Sequence, residues 1–105
     1  MNAIRSDESI PATKQRSSLD LDLAQEFWVR EADRWDGTSG RFGDAMLEAA
    51  DLRPGQRVLD VGCGAGSTTI EAARRVAPTG GAVGVDISGP ALAVARERAV
   101  ASGLD

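Results

Sequence analysis

The chain has 105 residues, with 12 Lys and Arg against 16 Asp and Glu and a net charge of −4; this is enough for one compact domain, and the lack of a basic block argues against a nucleic-acid partner. Histidine and tyrosine are absent, so Ser-His-Asp and Cys-His nucleophilic centres and His-Glu-x-x-His zinc sites are excluded. The single cysteine, Cys63, rules out an intrachain disulfide or a cysteine-based zinc cluster, and with no long apolar run or secretory signal it implies a reducing, cytoplasmic setting with no metal site and no membrane span.

Residues 1–17 are polar, mix both charge signs and show no apolar period, so they are expected to form a flexible tail. Arg5, Arg16 and several serines suggest a mitochondrial presequence as the rival reading, but Asp7 and Glu8 run against the usual lack of acids there. From Ser18 the texture changes. Leu19, Leu23 and Phe27 fall four residues apart, Ala24, Trp28 and Trp35 extend an adjacent stripe, and Asp20 and Asp22 sit in the positive first turn. This predicts an amphipathic helix to about residue 35, with its tryptophans in the core. A turn is expected over Asp36-Gly37-Thr38-Ser39-Gly40, then a short helix burying Phe42, Ala45, Met46 and Ala49, stopped by Arg53-Pro54-Gly55.

Arg57-Val58-Leu59-Asp60-Val61 is a short apolar run of the kind found in strands buried on both faces. The cluster Gly62-Cys63-Gly64-Ala65-Gly66 ends it. Ser67 is placed as the cap of a helix to about Ala77, with Ile70, Ala73 and Ala77 as its apolar stripe. Pro78, Gly80 and Gly81 break that helix, and Ala82-Val83-Gly84-Val85-Asp86 reads as a second strand. Ser88-Gly89-Pro90 opens a last helix that buries Leu92, Ala95 and Ala99 and is capped by Gly103, while Arg96-Glu97-Arg98 forms a solvated face. Strand, helix and strand together span about 30 residues, the length of one right-handed parallel βαβ unit. The fold class is therefore α/β, a parallel sheet in βαβα order preceded by two helices. The expected division is a tail over 1–17, N-terminal helices over 18–52 and a cofactor-binding part over 53–105.

In such sheets ligands sit beyond the carboxyl ends of the strands, which brings Asp60 to Gly66 and Asp86 to Ser88 to one crevice. The third glycine falls at Gly66, one residue early for the G-x-G-x-x-G dinucleotide loop, and no Gly-Lys-Ser/Thr follows, Lys14 being the only lysine. No Lys or Arg lies between Arg57 and Arg74, whereas Asp60 stands at the loop entrance. A pyrophosphate would meet negative potential there, and a cofactor carrying positive charge suits it better. Asp86, about 20 residues beyond the loop, can accept both hydroxyls of a ribose.

The segment Val58-Leu59-Asp60-Val61-Gly62-Cys63-Gly64-Ala65-Gly66, followed by Gly84-Val85-Asp86-Ile87-Ser88, resembles the first two motifs of class I S-adenosylmethionine-dependent methyltransferases. The resemblance covers about residues 42–104 and implies a Rossmann-like, doubly wound parallel sheet of which only the first βαβα portion is present. It implies that Asp60 and the loop Gly62, Cys63, Gly64, Ala65 and Gly66 hold the methionine end of S-adenosyl-L-methionine, that Asp86 holds the ribose and that Ile87 packs near the adenine. Phe27-Trp28 and Arg34-Trp35 are more weakly similar to the N-terminal helices of ubiquinone and menaquinone biosynthesis methyltransferases, which implies a small-molecule methyl acceptor. In the family, later strands supply the substrate wall and any base, so no catalytic residue is assigned. The chain is accordingly expected to be the N-terminal part of a methyltransferase, marginally stable alone because two strands leave edges unpaired. Two alternatives stay open: an NAD(P)-dependent oxidoreductase, and a non-catalytic remnant or interaction module.

Overall fold

The computed structural model describes residues 3–6 and 18–104. Its elements run β1 (Ala3–Ser6), α1 (Ser18–Arg30), α2 (Ala32–Ala50), β2 (Arg57–Val61), α3 (Ser67–Val76), β3 (Gly81–Asp86) and α4 (Gly89–Ala101). The strands form one parallel sheet in the order β1-β3-β2.

The βαβα unit arises where glycines and apolar periodicity agree. Pro54 and Gly55 make a tight turn in which the Gln56 N–H donates to the Arg53 carbonyl at 3.2 Å and Gly55 takes φ 93°, the geometry of a type II turn. β2 then leads through the glycine loop into α3, whose Ile70, Ala72, Ala73 and Val76 are buried. α4 buries Leu92, Ala95 and Ala99, and the Ser88 hydroxyl caps it by accepting from the Ala91 N–H at 3.2 Å. At its other end Gly103 has φ 76°, its N–H donates to the Val100 carbonyl, and the Leu104 N–H donates to the Ala99 carbonyl; this is the paired bonding of a Schellman motif. Small side chains let α3 lie close on the sheet: Ala72, Ala73 and Ala82 cluster with Leu47 of α2.

Several expectations are corrected. Ala3–Ser6, assigned to a flexible tail, pairs in parallel with Val83–Asp86 and gives the sheet a third strand; the rest of that tail lies outside the described residues. Such an edge strand is held by backbone hydrogen bonds, which any short non-proline segment can make. The N-terminal helices divide at Glu31, and α2 continues through the expected turn at residues 36–40. Glycine within a helix costs about 1 kcal/mol, which disfavours the helix without forbidding it. Ala32 and Leu47 are the buried residues of α2 among those described, while Phe42, Ala45, Met46 and Ala49 are exposed; on α1, Leu23 and Phe27 are exposed too. The helices are rotated so that Gln25, Val29 and Ala32 turn inward. α3 is preceded by Gly66 in the capping position, not by Ser67, and no side chain caps it. β2 is covered on one face only: Leu59 is 65% and Val61 75% exposed.

Candidate functional site

The parallel register aligns Asp60 with Gly84 and Val61 with Val85. The chain leaving β2 therefore crosses the end of β3, where the Val85 carbonyl accepts from both the Gly62 N–H, at 2.8 Å, and the Cys63 N–H, at 3.0 Å. The Gly66 N–H then donates to the Cys63 carbonyl at 2.9 Å, closing a turn with Gly64 at its first central position. Gly62, Gly64 and Gly66 have φ of 74°, 54° and 86°, a conformation that costs an L-residue about 1–2 kcal/mol. A Cβ on Gly62 or Gly64 would meet no atom within 4 Å, so the space over the loop is open to a ligand.

Asp86 organises this loop. One carboxylate oxygen accepts from the Gly64 N–H at 2.9 Å, and the other accepts from the Ser88 N–H at 2.8 Å. The same side chain thus ties the glycine loop to the turn that enters α4. Each carboxylate oxygen has a second lone pair, so both remain able to accept a hydroxyl. Asp60 is turned away: its carboxylate accepts from the Thr69 hydroxyl at 2.7 Å, and Thr69 is buried. The Asp60–Thr69 bond locks the start of α3 to the end of β2.

A cavity of about 510 Å³ opens above these groups, lined by Gly62, Cys63, Gly64, Ala65, Asp86 and Ile87 among the sequence-predicted residues. That is within the usual range for small-molecule sites. Gly66 is buried beneath it as the residue preceding α3, and Asp60 does not line it. Its far wall comes from α1, through Ala24, Gln25, Trp28 and Val29, with Ala32 beyond. Trp28, expected in the core, is about half exposed on the cavity wall. Asp86 is the single charged lining residue among those described. The N-terminus of α3 also reaches the cavity through Ser67 and Thr68, and its dipole favours a carboxylate there. A nucleoside with a ribose diol and an amino-acid end carrying net positive charge fits this donor and acceptor set better than a pyrophosphate does.

Cys63 does not supply a nucleophile. Burial first, then the charges of Asp60 and Asp86, push its thiol from the ordinary 9.0 up to about 11, so the unreactive protonated form prevails at neutral pH. Alkylation by iodoacetamide is expected to accelerate with a midpoint near pH 11; a midpoint near 8 would contradict this. Because the folded thiol titrates above the unfolded one, its contribution to stability is complete below pH 9 and is lost as pH rises through about 11.

Comparison with known proteins agrees with the geometry. A family described as a methyltransferase domain matches residues 52–105, just over half of the chain. A demethylmenaquinone methyltransferase of Symbiobacterium thermophilum is 40% identical over 74 residues, covering 70% of this chain and 28% of that protein. Nocamycin O-methyltransferase of Saccharothrix syringae is 44% identical over 59 residues, covering 56% and 21%. A tRNA (guanine(6)-N2)-methyltransferase of Thermus thermophilus is 47% identical over 63 residues, covering 60% and 19%. Among solved structures, a SAM-dependent methyltransferase from Aquifex aeolicus superposes with a TM-score of 0.54 at 28% identity, covering 60% of this chain and 34% of that one. The chain thus spans between about a fifth and somewhat over a quarter of the length of these curated relatives. With its glycine loop at the ends of two parallel strands and this likeness, the chain belongs to the class I S-adenosylmethionine-dependent methyltransferases, whose cofactor is S-adenosyl-L-methionine.

Proposed function

We propose that residues 53–105 form the cofactor-binding part of an enzyme that methylates a small molecule, with α1 walling one side of its cavity. The observation that carries this reading is Asp86, whose carboxylate joins the glycine loop to the α4 turn and keeps one acceptor per oxygen free for a diol. The Gly62 to Gly66 loop and the start of α3 would hold the amino-acid end, and exposed Ile87 would lie against the adenine. The bound cofactor supplies an electrophilic methyl group on a sulfonium.

The residues of this chain bind and orient. Asp86 fixes the ribose, the α3 N-terminus attracts the carboxylate, and Trp28 and Val29 exclude water from one side of the cavity. Asp60 acts through Thr69 to hold the loop's starting point. A small acceptor is favoured by the apolar α1 wall and by the net charge of −4, which opposes a polyanionic partner; the menaquinone and O-methyltransferase relatives point the same way. No helix among the described residues is long and apolar enough to cross a membrane, and the lone thiol suits a reducing cytoplasm. The test is thermal: S-adenosylhomocysteine at 100 times its Kd should stabilise the chain by about 2.7 kcal/mol and raise its Tm, whereas NAD should leave it unchanged. A rise with NAD and none with S-adenosylhomocysteine would transfer the reading to an oxidoreductase.

A further inference from the structure

Arg98 lies in the last turn of α4, within the Arg96-Glu97-Arg98 run expected to face solvent. Arg96 and Glu97 are exposed, but the Arg98 side chain is 27% exposed and reaches inward. Its Nη1 donates to the Ala65 carbonyl of the glycine loop at 3.4 Å, and its Nη2 donates to the Asp33 carboxylate in the first turn of α2. One planar guanidinium therefore joins three elements that are far apart in sequence.

Each contact has a physical consequence. The Ala65 carbonyl and the Gly66 N–H belong to the same rigid peptide plane, and that N–H closes the loop turn on the Cys63 carbonyl. Holding the carbonyl thus fixes the orientation of the turn, which glycines on both sides would otherwise leave free to vary. Asp33 directly follows Ala32, which lines the cavity beside Val29 of α1. The Asp33 side chain is 95% exposed and such a pair contributes about 0–1 kcal/mol on its own, so it links α2 to the loop without adding much to the stability of the fold.

We propose that Arg98 is a positioning residue for the cofactor loop and that, through Asp33, it couples the seating of the N-terminal helices to the order of that loop. The effect on cofactor affinity rests on reading the cavity as the S-adenosylmethionine site; the coupling does not. Coupling between two sites is reciprocal, so whatever orders the loop also orders the wall. Arg98→Met keeps the packing of the stem and removes both donors. Without any ligand, amide exchange in this variant is expected to quicken both at residues 62–66 and at residues 24–34, with a Tm within a few degrees of wild type. Unchanged exchange in either segment overturns the proposal, whatever the chain binds. With S-adenosylhomocysteine as the probe, Arg98→Met is expected to bind about tenfold more weakly, as for the loss of a hydrogen bond to a charged group. Arg98→Lys should recover only part of this, because an ammonium lacks the fork that spans both acceptors. Asp33→Ala should stay within about threefold of wild type, yet lose the ligand-induced slowing of exchange over residues 24–34. Full recovery by Arg98→Lys, or affinity unchanged in Arg98→Met, contradicts the positioning role. Absence of S-adenosylhomocysteine binding by wild type bears on the cofactor reading alone, since the ligand-free exchange still decides the coupling.

Discussion

Asp86→Ala is expected to weaken binding of S-adenosylhomocysteine at least about 100-fold in calorimetry, the largest effect of any single substitution in the cavity. Two hydroxyl contacts to a carboxylate, at roughly 1.5–3 kcal/mol each, account for that magnitude. The same change leaves the Gly64 and Ser88 N–H groups without their acceptors, so the loop and the α4 turn lose their common anchor as well. Asp86→Asn tests whether both oxygens must accept. Both sides of the carboxylate face backbone donors, and an amide can accept on only one of them while its NH₂ opposes the other. The asparagine variant should therefore bind nearly as poorly as alanine, and affinity within threefold of wild type would remove Asp86 from the ribose site.

Gly84→Val is expected to be the most damaging substitution for folding, costing about 3 kcal/mol or more in urea unfolding, beyond the usual range for overpacking. Gly84 is in the central strand beneath α3, and a Cβ placed on it would lie 2.7 Å from the Cys63 Sγ and 2.9 Å from both the Cys63 Cβ and the Thr69 Oγ1. These neighbours are the loop itself and the hydroxyl that holds Asp60, so the strain is delivered to the site. Gly84→Ala should cost about 1–3 kcal/mol for the same reason. Gly89→Ala is the control: its Cβ would meet nothing within 4 Å, and stability should stay within about 0.5 kcal/mol of wild type. Equal urea midpoints for Gly84→Val and wild type would show that α3 does not pack this closely on the sheet.

The βαβα unit and the glycine loop are legible in the sequence because several independent signals coincide there. Apolar runs at Arg57–Val61 and Gly81–Asp86 are separated by a helix, and glycine is required where the backbone turns left-handed at Gly62, Gly64 and Gly66. The resemblance to methyltransferases concentrated on those same residues. The N-terminal region was less legible. An apolar stripe shows that a face wants cover without saying what covers it, and the stripes at Leu23 and Phe27 and at Phe42 and Met46 are exposed while Val29 and Leu47 turn inward. Backbone pairing at Ala3–Ser6 left no side-chain pattern to read. Within the site, Asp60 and Asp86 look equivalent as carboxylates that end strands, yet one serves a buried threonine and the other lines the cavity. Only the register of β2 against β3 separates them. Arg98 was hidden for a similar reason: its partners are 33 and 65 residues away in the chain.

The proposed function requires that this cavity select a cationic nucleoside with an intact ribose. Its most direct test is calorimetric titration of the wild-type chain with S-adenosylmethionine, S-adenosylhomocysteine and NAD under the same conditions. Binding of the sulfonium compound at least as tight as that of the neutral thioether, with no measurable heat from NAD, is the result expected from a cavity whose charged lining is Asp86. NAD binding more tightly than either adenosyl compound would contradict it.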